Sequence, residues 1–281
     1  MSVAFVLRRR ATLLLGVASL LCLVAFAWPL VADSRGAGLT HGNANLAHAA
    51  DAPWVFVALL PLLLAIVLAE LADGTLDAKS VAVLGVLAAC GCALRLPGGV
   101  AGFEPVFFLL IPAGRVLGRG FGFVLGALTL FASALLTGGV GPWLPFQMFG
   151  AAWVGYMAGC LPAARGRREL ALLAGYGFVA GLAYGLLLDL WFWPYLSVGT
   201  QLGPVPGAPL VENLHRFVAY HLATAMGWDL VRATTTAVLV LVAGAPVLAA
   251  LRRAARRAAF GAPVSFEPGV PVEPVESAEP V

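Results

Sequence analysis

Apolar runs of membrane-spanning length, divided by short Gly-, Pro- or Arg-containing breaks, dominate the chain. The first follows Arg8, Arg9 and Arg10 and runs from Ala11 to Val31. It exceeds the ~7–15 apolar residues of a secretory signal core, so it reads as a retained helix. As a cleaved signal peptide it would end at Ala47-His48-Ala49. Polar Asp33 to Asp51 reads as an outer loop, followed by a second helix from about Pro53 to Leu71 and an inner turn at Asp73, Gly74, Asp77 and Lys79. Further helices are expected at about Ser80–Leu94, Glu104–Leu117, Phe121–Leu136, Trp143–Leu161 and Glu169–Tyr195. A Gly/Pro-rich loop, Ser197 to Pro209, precedes a last helical region from His215 to Leu251. The Pro- and Glu-rich tail after Phe260 has too few large apolar residues to fold on its own.

The fold class expected is therefore all-α, a polytopic bundle of about eight transmembrane helices with both termini cytoplasmic. It divides into a two-helix extension (1–78), a six-helix membrane core (79–258) and a disordered cytoplasmic tail (259–281). Orientation follows from Lys and Arg, which stay cytoplasmic in short loops. Thirteen fall in the inner segments, namely Arg8, Arg9, Arg10, Lys79, Arg115, Arg119, Arg165, Arg167, Arg168, Arg252, Arg253, Arg256 and Arg257; three, Arg35, Arg95 and Arg216, fall in the outer ones. Loss of the first run would leave the orientation of the other seven helices unchanged.

Composition agrees: 61% of the 281 residues are hydrophobic and 11% charged, against about 25% charged in soluble domains. A net charge of +3 gives no reason to expect a nucleic-acid partner. Cys22, Cys90, Cys92 and Cys160 all lie in apolar runs and read as small buried hydrophobes, with neither a disulfide framework nor a metal-ligand spacing. Neither a metal nor a cofactor is expected. The phosphate-binding Gly-x-x-x-x-Gly-Lys-Ser/Thr, His-Glu-x-x-His and Gly-x-Ser-x-Gly are all missing, so no ATPase, zinc protease or serine hydrolase is encoded by its usual motif. The chain reads as a binding protein, not an enzyme.

Candidate binding residues gather at the expected outer ends. Trp28, Trp54, Trp143, Trp191, Trp193 and Trp228 all fall there, with Trp153 mid-helix. An interfacial aromatic belt forms on both sides of a membrane, so this asymmetry points equally to rings lining an outward pocket. Ionisable residues in spanning segments are expensive and default to functional candidates. Asp189 lies late in the seventh helix. Asp229 and Arg232, three apart, share a helix face and are expected to form an interfacial ion pair, His215 to Trp228 standing above the membrane or lying along it. Arg95 and Glu104 flank an outer Leu-Pro-Gly-Gly, and Gln147 lies one turn after Trp143. Arg95, Trp143, Gln147, Asp189, Trp191, Trp193, Tyr220 and His221 are thus expected to converge on one outer cavity, with aromatic walls and a few placed polar groups. The uncharged Gly-Gly-Val-Gly-Pro-Trp at Gly138 to Trp143 reads either as a tight hairpin or as irregular backbone lining that cavity. Gly85, Ala89 and Ala93 repeat every four residues and allow close approach of another helix, internal or from a partner.

Four blocks in order carry a family likeness: Arg95-Leu-Pro-Gly-Gly; Phe103-Glu-Pro-Val-Phe-Phe-Leu-Leu-Ile-Pro-Ala-Gly-Arg-Val-Leu-Gly; Gly122-Phe-Val-Leu-Gly-Ala-Leu-Thr; and Gly141-Pro-Trp-Leu-Pro-Phe-Gln-Met-Phe-Gly. The chain resembles the substrate-binding S components of energy-coupling factor transporters, in their actinobacterial branch. The strong likeness covers Ala82 to Leu161 and extends more weakly to Leu251. It implies a vitamin-binding subunit in the plasma membrane, with cobalamin the best expectation for the cargo. The implied partners are a transmembrane coupling subunit, two cytoplasmic ATPase subunits, the vitamin and membrane lipid. It also implies that Gly85, Ala89 and Ala93 face the coupling subunit, and that the subunit topples in the membrane to deliver its cargo. The two N-terminal helices depart from the family's six. The alternative is a membrane enzyme acting on a lipid or prenyl substrate at the outer face, for which Asp189, His221 and Asp229 speak. A third possibility is an assembly protein with no ligand.

Overall fold

The computed structural model describes residues 78–98, 101–141, 143–196, 200–205 and 208–257, together with scattered positions within 13–65. The expected second helix, the outer loop before it and the C-terminal tail lie mostly or wholly outside the described residues. Every regular element among the described residues is helical. In chain order these are α1 (Ala78–Arg95), α2 (Val106–Leu117), α3 (Arg119–Thr137), α4 (Leu144–Cys160), α5 (Arg167–Leu196), α6 (Leu210–Tyr220), a π-helical turn (His221–Ala225) and α7 (Met226–Arg257). Among the described residues, three stretches are long and apolar enough to cross a membrane: Arg119–Thr137, Arg167–Trp193 and Leu210–Arg256. Large apolar side chains such as Leu136, Val179 and Val242 remain exposed on their outer faces, which fits helices that present those faces to lipid. The described positions of the first apolar run are also helical, and Phe26 packs edge-on against Phe146 of α4, 4.9 Å between ring centres.

Glycine sets how the bundle closes. α3 and α4 pack most extensively against each other. A Cβ on Gly122 would strike the Gly155 carbonyl, one on Gly155 the Gly122 carbonyl, and one on Gly126 the Ala151 carbonyl. The two backbones therefore touch directly, the geometry that small residues permit between apolar helices. The connecting loop is a tight hairpin. Gly138 ends α3 in the left-handed conformation (φ 67°), and the indole of Trp143 donates to the Gly139 carbonyl at 3.2 Å. The uncharged stretch thus folds back on its own tryptophan.

α2 is the buried centre. It is apolar on nearly every side, with Phe107, Leu110, Ile111 and Ala113 almost fully buried, as a helix enclosed by others must be. It touches α1, α3, α4, α5 and α7. Twelve residues rise only about 18 Å, less than a bilayer core. α1 docks on α3 through Leu84, Ala88, Gly91 and Cys92, with Gly91 against the Thr129 side chain. Gly85, Ala89 and Ala93 face away from the other described helices.

The last region keeps one of the two alternatives left by the sequence. α6, the π turn and α7 form one continuous rod, so His215 to Trp228 continues the long apolar helix, as a segment standing above a membrane would, and does not fold back on it. The two faces of the upper segment differ. Asn213, Phe217 and Tyr220 are buried against the protein, while Leu210, Leu214, Val218 and Leu222 form an exposed apolar stripe.

Candidate functional site

Two groups of charges sit at opposite ends of the bundle, and they are balanced differently. At the end carrying most of the arginines, Glu169 of α5 is almost fully buried. Arg252 of α7 holds its two oxygens at 2.7 Å each, and Arg115 of α2 reaches one of them at 3.1 Å. Arg115 also caps the Leu161 carbonyl at 2.8 Å. Two guanidinium groups against one carboxylate leave no negative charge uncompensated.

The opposite end holds Glu104, Asp189, His221, Asp229 and Arg232. At 1.5 Å per residue along α5 and α7, this group stands roughly 30 Å from Glu169, about the thickness of a hydrocarbon core. Arg232 bonds Glu104, before α2, and donates to Asp229 Oδ1 at 2.5 Å. Its guanidinium also lies over the Tyr184 ring, 5.4 Å from the centre. His221 Nδ1 lies 2.9 Å from Asp189 Oδ2 and 4.0 Å from Asp229 Oδ2. An ionised carboxylate only accepts, so with Asp189 ionised the ring proton sits on Nδ1. Of Asp189, His221 and Asp229, Asp189 is the most open; its side chain is 20% exposed, against 9% for His221 and 2% for Asp229.

Three local features build this arrangement. The π turn at His221–Ala225 inserts extra backbone into the rod and sets the face on which His221 emerges; such turns recur at functional sites. Gly185 lies against the Asp229 carboxylate, where any Cβ would collide with it. The loop before α2 is pressed onto α7 at Gly102 (φ 85°), where a Cβ would strike the Trp228 backbone, and this brings Glu104 to Arg232.

The structure distributes the residues singled out in the sequence among several places. Asp189 and His221 meet directly. Tyr220 and Trp193 lie beside them in a small aromatic cluster with Phe217, whose ring is 5.4 Å from Trp193 and 6.1 Å from His221. Trp193 also donates to the Leu202 carbonyl at 2.7 Å. Trp191 is buried in the main core, against Phe146 and Phe192. Arg95 donates to Ser133 Oγ of α3 at 2.6 Å. Trp143 bonds within its own hairpin, and Gln147 is half-buried on α4. The described outer tryptophans thus divide: Trp191 and Trp193 are packed inside, whereas Trp228 is half exposed; Trp28 and Trp54 lie outside the described residues.

The sequence offered no metal-ligand spacing, yet Asp189, His221 and Asp229 bring their ligand atoms within 4.8 Å of one another. The signal is hidden because the residues come from two helices. Only the pair Asp229 and Arg232, three apart, was legible along one helix. Compared with known proteins, the chain matches no family model, no curated protein and no solved structure.

Proposed function

We propose that this chain is the membrane-embedded binding subunit of an importer, capturing a vitamin or related micronutrient at the outer face of the plasma membrane. In this reading it is not itself an enzyme. It has about eight spanning helices and cytoplasmic termini, and works with a transmembrane coupling subunit and two cytoplasmic ATPases, as its likeness to energy-coupling factor S components implies. The observation that carries the proposal is the buried polar group at the arginine-poor end. Three carboxylates, a guanidinium and an imidazole sit among apolar helices beside Trp193, Phe217 and Tyr220. Intramembrane charges are retained where a ligand or pathway uses them. The outward small-residue face of α1 supports a partner helix there.

Titrating the tryptophan fluorescence of the purified full-length protein with a panel of vitamins, cobalamin included, tests the binding role. Saturable quenching by one member, after correction for coloured compounds, is the expected result. A flat response from protein of intact helix content removes the vitamin reading. The partner is tested separately. Ala89→Leu is expected to abolish co-purification with the coupling subunit and ATPases while leaving ligand binding unchanged.

The 2.9 Å contact between Asp189 and His221 favours one second reading, an outer-face enzyme acting on a lipid or prenyl substrate. A carboxylate that orients an imidazole is the usual support for a general base. Turnover of a lipid substrate, lost in Asp189→Asn while quenching by that lipid persists, would select it.

A further inference from the structure

We propose that Asp189, His221 and Asp229 form a binding site for a divalent transition-metal cation.

The argument begins with an unpaired atom. Among the described residues, three buried side-chain oxygens have no hydrogen-bond partner: Thr129 Oγ1, Thr236 Oγ1 and Asp229 Oδ2. A hydroxyl can turn toward a nearby carbonyl, but an ionised carboxylate oxygen can only accept. Asp229 Oδ2 therefore needs a donor or a cation. Its side chain is 2% exposed, so bulk water does not supply one. Oδ1 is held by Arg232, which leaves Oδ2 turned to His221.

Charge counting points the same way. With Glu104, Asp189 and Asp229 all ionised, they carry three negative charges, and Arg232 returns one positive. With the imidazole neutral, the connected group is left at −2, inside an apolar bundle where uncompensated charge is costly. At the arginine-rich end the buried carboxylate, Glu169, has two guanidinium partners, so no negative charge is left over there. A divalent cation at the outer group cancels the deficit.

Ligand chemistry then narrows the class. Two carboxylates and one imidazole nitrogen form a mixed O/N donor set suited to zinc, manganese, iron(II) or cobalt(II), not to the all-oxygen preference of magnesium or calcium. The ligand atoms lie within 4.8 Å of one another. Donors at about 2.0–2.2 Å from a metal stand about 3–3.5 Å apart, so small side-chain rotations close the site. The cation takes the place of the proton between Nδ1 and Asp189 Oδ2; that proton moves to Nε2, so the imidazole stays neutral and the group goes from −2 to zero. Arg232, anchored by Glu104, orients the Asp229 carboxylate in the way outer partners orient metal ligands. Asp189, the most open of the three, is the side by which the cation enters. This assignment stands apart from the importer reading, because it concerns cation binding to the isolated chain.

Cobalt(II) is the probe. Full-length protein in detergent, stripped with a chelator, is titrated with Co²⁺ and followed by visible absorption. The expected result is saturable d–d bands at one ion per chain, displaced by Zn²⁺ and without a thiolate charge-transfer band. His221→Ala and Asp189→Asn should each abolish the bands. Glu104→Gln should weaken binding about 10-fold or more, as loss of an outer partner does. His215→Ala, at an exposed position outside the group, should change nothing. Asp189→Asn guards against misfolding, because this residue is the least buried ligand and helix content is checked in parallel. Absence of bands in folded protein would overturn the site, leaving a proton shared among these groups. So would bands that persist in both ligand variants, or a thiolate band placing the ion at a cysteine. Cation binding without vitamin quenching or ATPase co-purification would uphold the site while removing the importer role.

Discussion

Replacing Gly185 by alanine drives a methyl group into the Asp229 carboxylate. Overpacking of this kind costs about 1–3 kcal/mol, and here it also displaces a charged group from its guanidinium. Gly185→Ala is therefore expected to lower unfolding free energy by that amount in detergent, read from denaturant titration of helical signal. Gly175 lies on the same helix with open space around it, so Gly175→Ala should be neutral or stabilising by up to about 1 kcal/mol through helix propensity. Equal losses in both would mean that α5 is destabilised generally, and that the contact with Asp229 is not special. Residue-scale contacts were only partly legible in the sequence. The Asp229–Arg232 pair follows from a spacing of three on one helix. That Asp189 lies near Asp229, or that Glu104 joins Arg232 and not Arg95, depends on how α5 and α7 are rotated against each other. Gly185 and Gly102 set that rotation through contacts made far away in the chain.

Among the elements, helix positions were far more legible than contacts. Glu104–Leu117 was expected and Val106–Leu117 is found; Phe121–Leu136 became Arg119–Thr137; and Trp143–Leu161 became Leu144–Cys160. Apolar length and the Gly/Pro breaks suffice for this, because in an apolar bundle only a helix satisfies its own backbone. The π turn left no such trace, since His-Leu-Ala-Thr-Ala continues an ordinary helical pattern. Nor did periodicity reveal which small residues face inward. Both glycine faces look alike in sequence, yet Gly155 meets backbone and Gly85 meets none of the described residues within 4 Å. A bulky residue should therefore have opposite effects at the two positions. Gly155→Leu is expected to prevent α3 and α4 from closing, abolishing stable monodisperse protein in size-exclusion chromatography. Gly85→Leu should elute as the parent does.

At the scale of the whole molecule, the two charged ends fix a direction. The arginine-rich end is expected on the cytoplasmic side by the bias of short loops. In a variant lacking its native cysteines, Arg216→Cys should be labelled from outside intact cells by an impermeant maleimide. Arg253→Cys should be labelled only after permeabilisation, and the reverse pattern would invert the orientation. The rod from Leu210 to Arg257 joins both ends, and at 1.5 Å per residue it is about 70 Å long. Its π turn is a dislocation in an otherwise regular rod. A π turn carries one residue more than the α turn it replaces, so it takes up that residue with little net rotation of the helix on either side. A further residue has no such slack: an alanine inserted after Gly227, in the regular helix, turns the upper segment by about 100° against the lower. His221 would then swing away from Asp229, with no change in its own identity. Cobalt bands should vanish while helix content holds. The imidazole is thus placed by the number of residues in the rod as much as by their kind, and this chain can lose a ligand through length alone.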